Sequence, residues 1–326
     1  MKERILKLLK GADGYLSGEK LSRELGITRT AIWKWIAKLK QEGYAITSVT
    51  NRGYRLENAS AYLSNERISK GLDTEFIGKS LYIHEEVTST NDVAKELAAS
   101  GAPDGSAVLA ERQTAGKGRL GRQWSSDSLN SIFLSLLLYP NARPQDIMQL
   151  PLTAGLSVCT VLRRETGLDV QIKWPNDVII NGKKVCGILA EMGAEAEHIH
   201  YAVLGIGINT NTGEFPAEIS HKATSLFLET KQQFDRNRLT AEILNSFEGY
   251  YQTFCGQDGL AEIIRQYKPL CATLHKRVSV LEGGSQSEAL AKDILPDGSL
   301  LIQTDNGEER AVQAGEVSVR GIYGYV

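Results

Sequence analysis

The chain has 326 residues, 42% hydrophobic and 23% charged, which excludes disorder, a collagen repeat and a small disulfide scaffold and leaves room for two or three domains. Its longest apolar run, Ile132 to Tyr139, is broken by Ser135 and closed by Pro140, far short of the ~20 residues of a spanning helix; Lys2, Glu3, Arg4 and Lys7 also deny the start a signal peptide's apolar core, so a cytoplasmic location and no membrane partner are expected. The net charge of −2 conceals a basic head on an acidic body, because residues 1–57 hold 12 Lys/Arg against 6 Asp/Glu and the remainder 25 against 33, and such a head is expected to meet an anionic partner, nucleic acid first.

Helical spacing starts at once, with Ile5, Leu8 and Leu9 on one face, and the break at Gly11 to Gly14 ends it. Ser17 then caps a helix carrying Leu21 and Leu25. Gly26 permits a sharp turn, Ile27 packs inward, and Thr28 caps a second helix running to Gly43. Ile32, Ile36 and Leu39 repeat along one face of that helix, leaving Arg29, Thr30, Trp33, Lys34 and Lys40 outward. Alternation at Ile46-Thr47-Ser48-Val49 and Tyr54-Arg55-Leu56, around Asn51-Arg52-Gly53, reads as a hairpin. The whole is a winged helix-turn-helix. Its candidate DNA contacts are the outward residues, Ser22 on the first helix of the motif, and Arg52 and Arg55 on the wing, with cations for phosphates and polar or flat side chains for base edges. The polar stretch Glu57 to Ser64 reads as a linker.

The body alternates: strand Leu81 to Glu85, helix Asp92 to Ser100, strands Ala107 to Glu111 and Ile132 to Leu138, and helix Leu150 to Thr166. Strands then dominate, at Val170 to Trp174, Asp177 to Ile180, Lys184 to Met192 and His200 to Ile208. Asn181-Gly182 signals a type I′ hairpin, so this part of the sheet is antiparallel and the class is α+β. Helices Glu242 to Tyr251 and Leu260 to Tyr267 close the body. From Cys271 on, short strands at Arg277 to Leu281, Ser287 to Ile294, Ser299 to Gln303, Glu309 to Gln313 and Ser318 to Tyr323, with turns at Gly283-Gly284, Pro296-Asp297-Gly298 and Asn306-Gly307, predict a small SH3-like barrel. The domains are therefore 1–62, 63–270 and 271–326. Cys159, Cys186, Cys255 and Cys271 have neither disulfide nor zinc spacing and read as free thiols. His198 and His200 share a strand face but lack a third ligand, and no metal site is expected there.

Gly116-Lys117-Gly118-Arg119-Leu120-Gly121-Arg122 matches G-x-G-x-x-G, but the sequence from Trp124 is not helix-forming, so the dinucleotide fold does not apply, and Arg122-Gln123 replaces the Lys-Ser/Thr of a Walker loop. What remains is a glycine loop bearing three cations, either a solvated surface or a device for wrapping phosphates, mobile when empty and ordered by an anionic ligand. Around it stand Val87-Thr88-Ser89-Thr90-Asn91-Asp92, where Ser89-x-x-Asp92 resembles a capping box, then Lys173-Trp174-Pro175-Asn176-Asp177, where Pro175 forces a bend, then Lys184 and Gly205-Ile206-Gly207-Ile208-Asn209.

Together these motifs resemble the bacterial bifunctional biotin protein ligases that are also biotin operon repressors, over essentially the whole chain. The carriers are T-S-T-N at 88–91, Q-T-A-G-K-G-R-L-G-R at 113–122, K-W-P-N-D at 173–177, G-I-L-A-E at 187–191 and G-I-G-I-N at 205–209, behind a winged helix. Cys186 departs from the small non-thiol residue expected there and reads as buried filler.

The resemblance implies a class II synthetase-like ligase domain and a two-step acyl transfer. Biotin and ATP, with Mg²⁺, give biotinyl-5′-adenylate, and a lysine of the biotin carboxyl carrier protein of acetyl-CoA carboxylase takes the acyl group. Ser89, Thr90, Asn91, Gln113, Gly116, Lys117, Gly118, Arg119 and Lys184 match biotin-binding positions. Arg119, Arg122, Trp124, Lys173, Asn176 and Asn209 match the adenylate side, and Arg119, Lys184 and Asp177 are the expected catalytic residues. Cations beside two approaching anions offset their repulsion and stabilise charge at the α-phosphorus. The resemblance further implies that bound biotinyl-adenylate favours a homodimer on the biotin operator. Two alternatives remain, a lipoate ligase without need of the head and a ligand-sensing transcription factor without phosphate chemistry.

Overall fold

The structure, a computed structural model, describes all of the chain except residues 13, 42–43, 58–61, 123, 125–129, 141–143, 196–197, 258, 283–284, 315–316 and 322–326. It describes the backbone alone at 120, 144–145, 194–195, 198–199 and 317–321. The expected helix end at Gly43, most of the linker, the Gly283-Gly284 turn and the side chain of His198 thus lie outside the described residues.

The head comprises α1 (Lys2–Gly11), α2 (Gly18–Leu25), α3 (Arg29–Gln41) and the antiparallel hairpin β1 (Ile46–Val49) and β2 (Gly53–Leu56). Ser17 accepts the Lys20 N–H at 3.0 Å and Thr28 the Ala31 N–H at 3.2 Å, so each cap falls where the sequence places it. Gly26 turns at φ 68°, in the left-handed region that glycine adopts without steric cost. Ile5, Leu9, Leu21, Ile32, Ile36 and Leu39 close a core separate from that of the body.

The body begins with α4 (Asn65–Lys70). A seven-stranded sheet then forms from β3 (Leu81–Val87), β4 (Ser106–Gln113), β5 (Ile132–Leu138), β6 (Val170–Lys173), β7 (Asp177–Ile180), β8 (Lys183–Glu195) and β9 (His198–Ile208). Its order is β3-β4-β5-β9-β8-β7-β6, and only β3 and β4 run parallel. The helix α5 (Thr90–Ala99) connects that parallel pair. After β5 come α6 (Pro144–Ile147) and α7 (Leu150–Thr166), and after β9 come α8 (Ala217–Ser220), α9 (Leu226–Thr230), α10 (Arg236–Cys255) and α11 (Gly259–Tyr267). Leu152, Leu156 and Leu162 of α7, Leu244 and Phe247 of α10 and Ile263 of α11 join Leu134, Ile188 and Ile206 of the sheet in one core. The helix expected at Glu242 starts six residues earlier, because Asp235 accepts the Asn237 and Arg238 N–H groups at 2.9 and 3.4 Å and caps it there.

The tail is an antiparallel sheet of β10 (Arg277–Glu282), β11 (Ser285–Ile294), β12 (Leu300–Gln303), β13 (Glu309–Val312) and β14 (Val317–Gly321), in the order β13-β12-β11-β10-β14. Its buried Val278, Val280, Ile294, Leu300 and Ile302 continue the body's core. The expected boundary at 270/271 falls in a bonded segment, where the Ala272 N–H meets the Ile172 carbonyl at 2.8 Å and the Trp174 indole donates to the Gly298 carbonyl at 3.1 Å.

One strand of the body holds the head and its parallel neighbour holds the end of the linker. On β3, Glu85 accepts the Tyr44 hydroxyl at 3.0 Å and lies 3.6 Å from Lys2 and 3.9 Å from Lys10. On β4, buried Glu111 accepts the Leu63 N–H at 2.7 Å and pairs with buried Arg236, also at 2.7 Å. The end of the linker is therefore not a free spacer: Leu63 and Ser64 are buried, and Asn237 bonds both the Ser64 N–H and the Tyr62 carbonyl.

Candidate active site

The parallel pair β3–β4 carries its loops to one end, and there a chain of polar side chains crosses the sheet. The Thr90 N–H and hydroxyl donate to Gln113 Oε1 at 2.8 and 3.1 Å. The Ser135 hydroxyl stands 2.7 Å from Thr90 Oγ1 and 2.6 Å from Asn91 Oδ1. Asn91 in turn donates to Glu191, which pairs with Lys95 at 2.5 Å. Ser89 caps α5 by accepting the Asn91 N–H, whereas the Asp92 carboxylate turns to Lys117 and does not complete a capping box. All of Ser89, Thr90 and Asn91 are buried, so the network is fixed before any ligand arrives.

Gly187, Gly205 and Gly207 on adjoining strands form a floor without side chains. A Cβ on Gly205 would stand 2.3 Å from Asn91 Oδ1, and one on Gly207 2.8 Å from the Trp124 indole. Trp124 lies over this floor with the Lys184 ammonium 5.0 Å from its ring, in the range of a cation–π contact. Lys184 also pairs with Asp177 at 2.5 Å across the β7–β8 ladder. With Trp124 and Lys184 there, the pocket keeps an open volume of about 50 Å³.

The basic loop does not stand bare. Lys117 pairs with Asp92, and Arg119 donates to Asn176 Oδ1 at 2.9 Å and to the Ala314 carbonyl of the tail. Burial pushes the Arg119 pKa down, Asp177 opposes that shift and Arg122 adds to it. A guanidinium stays charged in proteins, so this desolvated cation gains from any phosphate that reaches it.

Of the expected residues, Ser89, Thr90, Asn91, Gln113, Lys117, Gly118, Arg119, Trp124, Asn176 and Lys184 line one pocket, with Asp177 held against its Lys184. Others stand apart from that lining. Gly116 acts through its carbonyl, which accepts the Trp124 N–H at 2.8 Å. Arg122 is exposed, Lys173 is buried in register with Asp177, and Asn209 is buried with its amide on the Thr224 carbonyl. Burial pushes the Cys186 thiol up, as suits filler. Ser135 and Glu191 were not among the expected site residues. The signal for Ser135 was its place as the one hydroxyl inside an apolar strand.

On the head, Arg29, Thr30, Trp33, Lys34 and Lys40 are all exposed, Trp33 at 61%. Arg52 is exposed at the wing's tip. Arg55 is paired with Glu57 at 2.8 Å, so its charge is partly spent. Ser22 is half-buried and donates its hydroxyl to the Ile27 carbonyl, a turn-forming bond rather than an outward contact.

Residues 84–209 match the Biotin/lipoate A/B protein ligase family, 2–55 an HTH domain, and 273–320 the Biotin protein ligase C terminal domain. The chain is 37% identical to the bifunctional ligase/repressor BirA of Bacillus subtilis, over 96% of this chain and 97% of that one. It is 28% identical to the protein of the same name from Escherichia coli, over 97% and 96%. Its structure resembles the biotin protein ligase of Aquifex aeolicus in complex with biotin and ATP, with a TM-score of 0.65 and 32% identity over 74% of this chain and 99% of that one.

Proposed function

Since the chain belongs to the bifunctional ligase/repressor family, we propose that it joins biotin to the carboxyl carrier protein of acetyl-CoA carboxylase at the expense of ATP, and represses the biotin biosynthesis operon through its winged helix. The observation that carries the ligase reading is the single pocket in which the Thr90–Gln113–Ser135–Asn91 network meets Arg119 and Lys184. The neutral donors and acceptors suit a ureido ring. The two cations, a short reach away, suit a carboxylate and an α-phosphate that must approach each other.

In the first step the biotin carboxylate attacks the α-phosphorus and pyrophosphate leaves. Arg119 exchanges Asn176 and the Ala314 carbonyl for phosphate oxygens, and Lys184 exchanges Asp177 for the same group, so positive charge is already placed where negative charge develops. Holding both reactants contributes on the order of 10⁵ M or more in effective molarity. Trp124 leaves the glycine floor and covers the adenylate, excluding water from a hydrolysable anhydride. In the second step the acceptor amine displaces AMP. Among the described residues no three metal-ligating side chains gather, and Asp177 is the carboxylate next to the pocket's lysine; that donor set fits a magnesium ion borne by the nucleotide's own phosphates, where it would neutralise the leaving pyrophosphate.

Arg29, Thr30, Trp33 and Lys34 of α3 enter the major groove, and Arg52 meets phosphate on the wing. Bound biotinyl-adenylate orders the basic loop and favours a homodimer whose two heads span a two-fold symmetric operator. The reducing cytoplasm, which holds ATP and keeps thiols free, is the compartment where this chemistry runs. Pyrophosphate release assayed with biotin, lipoate or octanoate tests the ligase reading: release with biotin alone is expected, and release with lipoate in its place overturns it. Gel-shift affinity for the operator is expected to rise with biotin plus ATP; an unchanged affinity removes the link between the two roles.

A further inference from the structure

A second cavity, of about 170 Å³ and partly open to solvent, backs onto the adenylate pocket. The two share Arg119, Asn176, Ile188 and Leu189 as a common wall. Beyond that wall the lining is Met148, Pro151, Leu152, Pro175, Ala190 and Ala314, drawn from the turn between α6 and α7, the start of α7, the bend before β7, the strand β8 and the tail. None of these six side chains carries a charge or a strong hydrogen-bonding group.

We propose that this cavity becomes the passage through which the acceptor lysine of the carrier protein reaches the acyl carbon, its inner wall opening when Arg119 leaves Asn176 and the Ala314 carbonyl for phosphate. The inference rests on the ligase reading and adds to it a route. A triphosphate or a ribose needs donors along its length, and this lining offers them at the inner wall alone. A lysine side chain has the complementary shape, a four-carbon apolar stem with one polar head. Threaded inward, it lays the stem on methionine, leucine and proline and delivers nitrogen to the wall where Arg119 would hold the phosphate. The passage also favours the reactive form, since burial in apolar surroundings and the neighbouring guanidinium both disfavour the ammonium. The neutral amine then forms the C–N bond with the acyl carbon. The acyl C–O bond to phosphate breaks, its electron pair leaves with AMP, and the surplus proton on nitrogen passes to water.

Ala190 and Met148 are half-buried, stand outside the adenylation pocket, and face the passage from different elements, so Ala190→Phe and Met148→Trp each narrow it without opening the core. With biotin, ATP and magnesium but no acceptor, both variants are expected to form and retain biotinyl-adenylate at the parent's level. With saturating carrier protein, single-turnover transfer is expected to fall about 10²-fold, the scale on which misplacing a reactant by an ångström acts. Discharge by hydroxylamine, a nucleophile with no stem, is expected to keep the parent's rate. Parental transfer in both variants overturns the passage. So does a defect confined to the KM for carrier, which would make these side chains docking contacts, and so does an equal loss with hydroxylamine. Failure of the parent itself to make adenylate is seen before any acceptor is added, and it strikes the ligase reading instead.

Discussion

The hydroxyl of Ser135 stands 2.7 Å from that of Thr90, in the middle of a fully buried strand. It joins the Gln113 and Asn91 halves of the polar network, and its one proton serves Asn91 Oδ1 or Thr90 Oγ1, so its loss leaves a buried acceptor short of a donor. A net hydrogen bond contributes roughly 1 kcal/mol, and Ser135→Ala is therefore expected to weaken biotin binding about fivefold to tenfold. Titration calorimetry with biotin alone checks this; an unchanged Kd removes Ser135 from the site.

Lys184 is paired with Asp177 and packed on Trp124. Lys184→Gln keeps a polar side chain of similar reach and removes the charge. Adenylate formation is expected to slow by about 10² to 10³, as when one electrostatic stabiliser of a developing anion is deleted. Rapid-quench measurement of pyrophosphate release reads the step directly. A rate within a factor of about two of the parent, on that scale of effect, assigns the charge work to Arg119 alone.

Arg236 and Glu111 are 1% and 3% exposed at the side chain. Removing one member of such a pair leaves a buried charge without its partner and costs about 3–5 kcal/mol. Arg236→Met is expected to destabilise the body by that order in urea unfolding, while the Arg236→Met, Glu111→Gln double variant, which removes the orphaned charge and keeps an acceptor for the Leu63 N–H, recovers much of the loss. If the double variant is no better than the single, the pair is not the source.

Tyr44 donates to Glu85 between head and body, and burial together with that bond raises its pKa to about 12. The folded state therefore holds the phenolic proton more tightly than the unfolded chain, whose tyrosines titrate near 10. Its contribution is complete below about pH 10 and is lost as pH rises from 10 to 12. Melting temperature is expected to fall more steeply over that window in the parent than in Tyr44→Phe; parallel slopes would falsify the role of this bond.

Much of the fold was legible because the apolar runs have clear ends. The strand Ile132–Leu138 and the helix Leu150–Thr166 lie where their patterns place them. The start of α10 was hidden, since Arg236 and Asn237 look like surface residues and are buried by partners at Glu111, Tyr62 and Ser64, far away in sequence. The site shows the same division. Ser89, Thr90, Asn91, Gln113 and Asn176 could be read from short motifs, but not that Asn176 and the Ala314 carbonyl, 57 and 195 residues away, hold Arg119. Short-range spacing reveals which side chains have the right chemistry, and only the assembled sheet reveals which carbonyl or carboxylate occupies them first.

The strand β3 bears the head on Glu85, its parallel neighbour β4 holds the end of the linker on Glu111, and both end, at Val87 and Gln113, beside the candidate pocket. A geneticist screening for derepressed colonies will thus recover lesions in side chains that never approach a base pair, and a phenotype in promoter control is not, by itself, a map of the DNA-contacting face.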